Sequence, residues 1–252
     1  MGIFALVKKD MIIQTRYKLL LLNFSITPFF IIAPFVFIAK ILNNSLEEFV
    51  FISTMMWYWL NQYFFSLGGL LKEERAEGNF VSVFLSPISL IKHIFLKGIF
   101  VFLNCSYITI ITMVFFKIFT SINKSTSIFM FFIYLMSGLY LFCFSIFFTS
   151  LTLIFRQLNS MNFAIQYGIG LLSGMSSNPE KFSKPLLIIS NLIPLTYTIK
   201  IGRGILSGSK LEYLINYIFI LSILSILFFF IGYAIIKYSE RRIRKTGEFE
   251  LW

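Results

Sequence analysis

The residues of this chain best suited to chemistry are its eleven carboxylates, and none sits inside a long apolar segment. Asp10, Glu47, Glu48, Glu73, Glu74, Glu77, Glu180, Glu212, Glu240, Glu248 and Glu250 all fall at or beyond the ends of the hydrophobic runs. An acid or base inside a bilayer is costly and normally functional, so this placement argues against a proton-coupled antiporter, an intramembrane metalloprotease and an aspartyl protease. The single histidine, His93, has no second His or Cys beside it, whereas usual metal sites need three or four donors. Cys105 and Cys143 each lie within an apolar run and offer no exposed disulfide framework; lipid contact or packing accounts for them. The serines are scattered, with no GxSxG among them. No GxxxxGKS/T phosphate loop occurs, and the nearest stretch, GILSGSK from Gly204 to Lys210, has the wrong spacing and no strand before it. If ATP energises this protein, a partner holds the nucleotide.

What remains is a charged insert, Lys72 to Pro87, KEERAEGNFVSVFLSP, between two apolar segments that are almost free of charge. Its first half suits a helix end, Gly78 permits a tight turn, and VSVFLSPIS makes a short amphipathic piece ending near Pro87. Such a piece can dock in a groove of another protein. A solvated loop would carry the same charges, because a charge run is weak evidence by itself.

The elements that must position this insert are membrane helices. The chain is 58% hydrophobic, 19% aromatic and 13% charged, with a mean hydropathy of +0.83, which excludes an ordinary soluble domain. A hydrocarbon core about 30 Å thick takes roughly 20 apolar helical residues. Five segments meet that length: Leu19 to Leu42, Phe49 to Leu71, Ile94 to Phe119, Ile128 to Phe155 and Leu211 to Ile236. A sixth, Met161 to Met175, is short and carries Gly168, Gly170 and Gly174, and a seventh, Pro185 to Ile201, is interrupted by Pro194.

Charge decides between them, because short cytoplasmic loops are rich in Lys and Arg. With the N-terminus inside and six spans, the inside segments hold Lys8, Lys9, Arg16 and Lys18, then Lys72, Arg75, Lys92 and Lys97, then Arg156, then Lys237, Arg241, Arg242, Arg244 and Lys245. If Pro185 to Ile201 also crossed, the run KYSERRIRK would lie outside. The stretch from Ser176 to Lys210 therefore reads as an outer-face segment that dips into the membrane and returns, although Lys181, Lys184, Lys200, Arg203 and Lys210 count against it. The expected architecture is all-α, one transmembrane domain over residues 1–252. It comprises an N-terminal amphipathic interfacial helix (1–18), six spans, a cytoplasmic loop (72–93), a re-entrant segment (176–210) between spans five and six, and a cytoplasmic tail (238–252).

The net charge of +11 does not point to nucleic acid, because the basic residues form small groups beside the spans; anionic lipid headgroups match them. MGIFALVKKD shows no small-residue cleavage site and has Leu6 where a myristoylation signal needs Ser or Thr, so the start is expected to be retained and unlipidated. Pro28 and Pro34 are expected to kink span one. Trp57, Tyr58, Trp59 and Tyr63 do not by themselves make a sugar platform, and Phe is simply a good lipid-facing residue.

Three stretches resemble one family in order. KEERAEGNFVSVFLSPISLIKHIFLKGI looks like the cytoplasmic loop of the type-2 permeases of ATP-binding-cassette exporters, LVKKDMIIQTRYKLLLLN is similar to their N-terminal interfacial helix, and NLIPLTYTIKIGRGILSG resembles their outer-face segment before the last span. Each motif is loose, but together they cover essentially the whole chain in the family's order and spacing. The resemblance implies a six-span half-transporter in the inner membrane of a prokaryote. Both termini are then cytoplasmic, and the permease pairs with a second copy, as homodimer or heterodimer, and with two ABC-type ATPase subunits that hold ATP and Mg. Under it, the loop from Glu77 to Pro87 acts as a coupling helix braced by Ile3 to Lys18. Glu73, Glu74, Glu77, Gly78, Phe80 and Pro87 are the coupling positions, and Pro194, Tyr197 and Arg203 form the outer-face gate. Arg203 pairs there with a substrate acid, or more simply with phosphates or Glu212. The loop lies nearer the drug and antimicrobial-peptide exporters, so a small amphipathic compound or peptide is the expected substrate. A polysaccharide or glycolipid exporter, a non-transporting scaffold or immunity protein, and a channel are the alternatives, the last disfavoured by the lack of ionisable residues in the spans.

Overall fold

The computed structural model describes residues 5–43, 46–76, 89–120, 122–155, 161–176 and 179–246. Among them the elements are all helical: α1 (Ala5–Arg16), α2 (Lys18–Leu42), α3 (Glu47–Ala76), α4 (Leu90–Phe119), α5 (Ile128–Ile154), α6 (Asn162–Leu172), a 3-10 turn at Pro179–Lys181, α7 (Lys184–Asn191), α8 (Pro194–Leu206) and α9 (Leu211–Thr246). Four stretches are long and apolar enough to cross a membrane, Leu21–Leu42 in α2, α4, α5 and Leu211–Lys245 in α9. A fifth arises if α7 and α8, bent by 89° at Leu192–Ile193, count as one span. These apolar helices mark the chain as a multi-pass membrane protein.

Two expected spans look different in the structure. The stretch from Phe49 to Leu71 lies in α3, whose 30 residues would reach about 45 Å. Yet it carries Trp57, Tyr58, Trp59, Asn61, Gln62 and Tyr63 and is not among the apolar candidates. The reason is position. Every residue from Phe51 to Leu60 is buried, because α2, α4, α5, α6 and α8 all pack around α3. A helix shielded by its neighbours meets little lipid and tolerates polar atoms that have partners. The expected short span, Met161 to Met175, contains α6, whose 11 residues reach only about 16 Å, half the hydrocarbon thickness.

The succession of antiparallel helices gives the bundle two ends. At one end α2 finishes and α3 begins, and the Glu48 carboxylate accepts from the backbone N–H groups of Asn123 and Lys124, 3.1 and 2.9 Å away, in the α4–α5 loop. At the other end α3 finishes and α4 begins, and α1 lies against α4 with Val7 buried, Lys97 ion-paired to Asp10 at 3.0 Å and the Gln14 amide donating to Asn104. The side chains of Met11 and Ile12 are exposed and line a cleft between α1 and α4 with Phe100, Leu103 and Tyr107. Helix α2 runs unbroken through Pro28 and Pro34.

The α5–α9 pair is the closest in the bundle. A Cβ added to Gly232 would lie 2.8 Å from the Phe147 Cα and backbone N, so glycine alone lets the two backbones approach this far. Helix α9 runs 36 residues to Thr246, through the first part of the stretch expected as a tail, with Ser239 and Ile243 buried against the bundle and Arg244 paired to Glu240 at 2.8 Å one turn earlier. Of the stretch 72–93, α3 takes the residues to Ala76 and α4 those from Leu90.

Candidate functional site

Two glycine-capped helix ends meet at the end of the bundle where α3 and α9 begin. Helix α6 stops in a Schellman turn: Gly174 takes φ +86°, its N–H bonds Leu171 O at 3.2 Å, and Met175 N–H bonds Gly170 O at 3.0 Å. Helix α8 stops the same way, with Gly208 at φ +68°, its N–H on Ile205 O at 3.2 Å and Ser209 N–H on Gly204 O at 2.9 Å. Both turns need a residue that tolerates the left-handed region, and glycine does so without a Cβ penalty. Helix α8 starts at Pro194, where the missing N–H costs nothing and the ring holds the preceding Ile193 extended. That restriction produces the sharp bend between α7 and α8.

Arg203 sits in the last turn of α8 and ties these pieces together. Its Nε donates to Ser53 Oγ of α3 at 2.9 Å, and its Nη2 donates to the carbonyls of Gly174 and Met175 at 2.7 and 3.2 Å. The Ser53 hydroxyl in turn donates to Phe49 O at 2.7 Å. A guanidinium placed on the carbonyl end of α6 also meets the negative pole of that helix. Among the described residues Arg203 therefore engages a hydroxyl and two carbonyls, not Glu212, which is exposed.

Beside Arg203 lies a cavity of about 810 Å³. Its polar lining includes Ser173, Ser176, Glu180, Lys200, Arg203 and Ser209; its apolar lining includes Leu46, Phe49, Val50, Ile199 and Leu214, with Tyr213 and Tyr217 from α9. Lys200 and Arg203, three residues apart, share a face of α8. The Lys200 ammonium lies over two aromatic rings, 5.7 Å from the Tyr197 centroid and 5.5 Å from that of Tyr217. Ser173 is fully buried, and its hydroxyl has no hydrogen-bond partner among the described residues. Two cations, a buried free hydroxyl and an apolar wall make a site for an anion that carries apolar bulk.

The three residues expected to form an outer-face gate share α8 but do not converge. Arg203 faces the cavity. Tyr197 packs behind it with Ile201 and Leu221, its ring 6.2 Å from that of Tyr217. Pro194 is buried at the opposite end of the helix, about 13 Å from Arg203 along its axis. Of the coupling positions, Glu73 and Glu74 belong to the last turns of α3, while Glu77, Gly78, Phe80 and Pro87 lie outside the described residues.

A polar seam inside the bundle has no counterpart in the sequence reading. Trp57 Nε1 donates to Gln166 O at 3.0 Å, Trp59 Nε1 donates to Thr109 Oγ1 at 2.9 Å, and the Gln166 amide donates to Asn162 Oδ1 at 2.9 Å. A buried indole N–H or amide without a partner costs free energy, so these bonds hold α3 against α4 and α6. The four aromatics Trp57, Tyr58, Trp59 and Tyr63 lie in the interior, each at most 1% exposed. Amides inside otherwise apolar runs, Asn162 and Gln166 above all, were the available signal for this seam, and the i, i+3 pair Lys200 and Arg203 was the signal for the cavity. No protein-family model matches this sequence, and no curated protein matches it.

Proposed function

We propose that this chain is the transmembrane permease subunit of an ATP-driven exporter, working as one of a pair with separate ATPase subunits. The observation that carries this reading is the pinning of α1. The Asp10–Lys97 ion pair and the Gln14–Asn104 hydrogen bond fasten an N-terminal helix along the first half of α4, on the side of the bundle from which the charged stretch 72–89 departs. A helix braced there would carry a push on that stretch into the bundle. The bent pair α7–α8 lies at the opposite end, which suits a closure of the pathway on the far side. Within the pair, α8 packs against α3 and α9, while α7 leaves Leu186, Ile188 and Ile189 exposed.

In this reading α2, α3, α4, α5 and α9 cross the membrane, α6 belongs to the remaining crossing, and α7–α8 re-enters from the outer face. Both termini are then cytoplasmic, in the plasma membrane of a prokaryote. ATP and Mg reside in the partner, whose closure would move the coupling segment and switch the spans between inward and outward exposure. Each state must be favoured by differential contacts for that to occur. The cargo is an amphipathic compound or peptide. The test is charge reversal at Glu73, Glu74 and Glu77: assembly with the ATPase and stimulated hydrolysis are expected to fall together, and unchanged assembly and hydrolysis would sink the coupling role.

A further inference from the structure

We propose that the cavity between α3, α8 and α9 binds the phosphate of an anionic phospholipid, with the acyl chains leaving along its apolar wall. Three groups supply the donors. Arg203 uses Nε and Nη2 on protein acceptors, and among the described residues its Nη1 has none, so that nitrogen is available to a ligand. Among the described residues Lys200 is held against the faces of Tyr197 and Tyr217 and has no hydrogen-bond acceptor, so its ammonium offers its hydrogens to a ligand. Ser173 is 0% exposed, lines the cavity and has an unpartnered hydroxyl. A buried hydroxyl left unpaired is costly, and an acceptor oxygen arriving in the cavity would remove that cost.

Charge and shape narrow the ligand. Among the described lining residues two cations, Lys200 and Arg203, stand against one carboxylate, Glu180, a balance that suits a singly charged phosphodiester. A phosphate oxygen accepts strongly from both guanidinium and ammonium donors. Phe49, Val50, Ile199 and Leu214 form the remaining wall, which free phosphate would leave unfilled and an acyl chain would cover. At the mouth, Leu46 and Tyr213 are exposed, and Ile220, on the same face of α9 as Tyr213 and Tyr217, is exposed beyond them, a lipid-facing track for the tail. This site does not depend on the export reading, since a chain that transports nothing would bind lipid equally.

The experiment is native mass spectrometry of the full chain in detergent with equimolar phosphatidylglycerol and phosphatidylcholine, and separately with inorganic phosphate. The wild type is expected to retain one phosphatidylglycerol in preference to phosphatidylcholine. Lys200→Gln should lower that preference about tenfold, the loss of one charge-assisted hydrogen bond, with Ser173→Ala lowering it by less. Lys200 makes no hydrogen bond that holds the fold, so Lys200→Gln should melt with the wild type, and Ser173→Ala, which removes an unpaired hydroxyl, reads the site independently. Equal retention of the two lipids, or an unchanged preference in both variants, would overturn the proposal. So would displacement of the bound lipid by inorganic phosphate alone, which would make the site one for a free anion.

Discussion

Replacing Arg203 by methionine tests the construction of the cavity end most severely. Methionine keeps much of the length and the apolar stem but removes the donors of three bonds, to Ser53 Oγ and to the carbonyls of Gly174 and Met175. A hydrogen bond to a charged group contributes about 1.5–3 kcal/mol, and a buried acceptor left without its donor costs about 1–3 kcal/mol. The three bonds share one side chain and do not add, and solvent in the neighbouring cavity would satisfy part of what is lost. A net loss of about 3 kcal/mol is the reasonable expectation. At about 2–4 °C per kcal/mol for a chain of this size, the midpoint of thermal unfolding in detergent should fall by roughly 6–12 °C. Ser53→Ala removes one of the three bonds and should cost about 1 kcal/mol, placing its midpoint between the two. Fluorescence-detected size exclusion after graded heating reads all three proteins side by side. If Arg203→Met melts within about 2 °C of the wild type, Arg203 does not clamp the α6 turn to α3 and α8, and the cavity has lost its main architectural support.

Two further predictions concern the rest of the bundle. Gly232→Ala places a methyl group 2.8 Å from the Phe147 backbone, where no side chain can swing aside, so α5 and α9 must separate at a cost of about 1–3 kcal/mol; thermal unfolding in detergent should show it, and an unchanged midpoint would mean that the two backbones are not in contact. Glu47, ahead of the apolar part of α3, has its carboxyl pushed above the ordinary range by burial, against the opposing pull of Lys40 3.9 Å away and with the help of Glu48. A folded pKa above the unfolded one means that the folded state holds the proton more tightly, so this contribution is full at low pH and is lost as pH rises through the folded value. Glu47→Gln should therefore remove a decline in stability that sets in as pH rises above the ordinary carboxylate range; parallel pH profiles for variant and wild type would count against it.

The division between what was readable and what was not follows the range of the interactions. Helices α2, α4, α5 and α9 announce themselves because lipid contact requires an unbroken apolar run, a property of neighbouring residues. The shortness of α6 was visible in Gly168, Gly170 and Gly174, and the bend before α8 in Pro194, since glycine and proline act on their own backbone. The interior place of α3 was not visible, because polar residues such as Asn61 and Gln62 are tolerated there only when other helices surround them. The partners of Arg203 lie 29 and 150 residues away in the chain, and no local pattern singles out Ser53 or the carbonyl of Gly174. Glu212, nine residues on, was the nearer guess, and it is not among the partners of Arg203. Tyr197 points away from Arg203 for a simple reason: six residues of helix turn through about 600°, which leaves the two side chains about 120° apart around the axis.

The central claim is that this chain transmits the work of a separate ATPase, and the most direct measurement is a pull-down of the tagged, detergent-solubilised protein from its native membrane, followed by an ATPase assay on what accompanies it. The account predicts a stoichiometric nucleotide-binding subunit whose hydrolysis this chain stimulates. Recovery of the intact chain from those membranes without such a subunit would contradict it and leave a membrane scaffold as the better description.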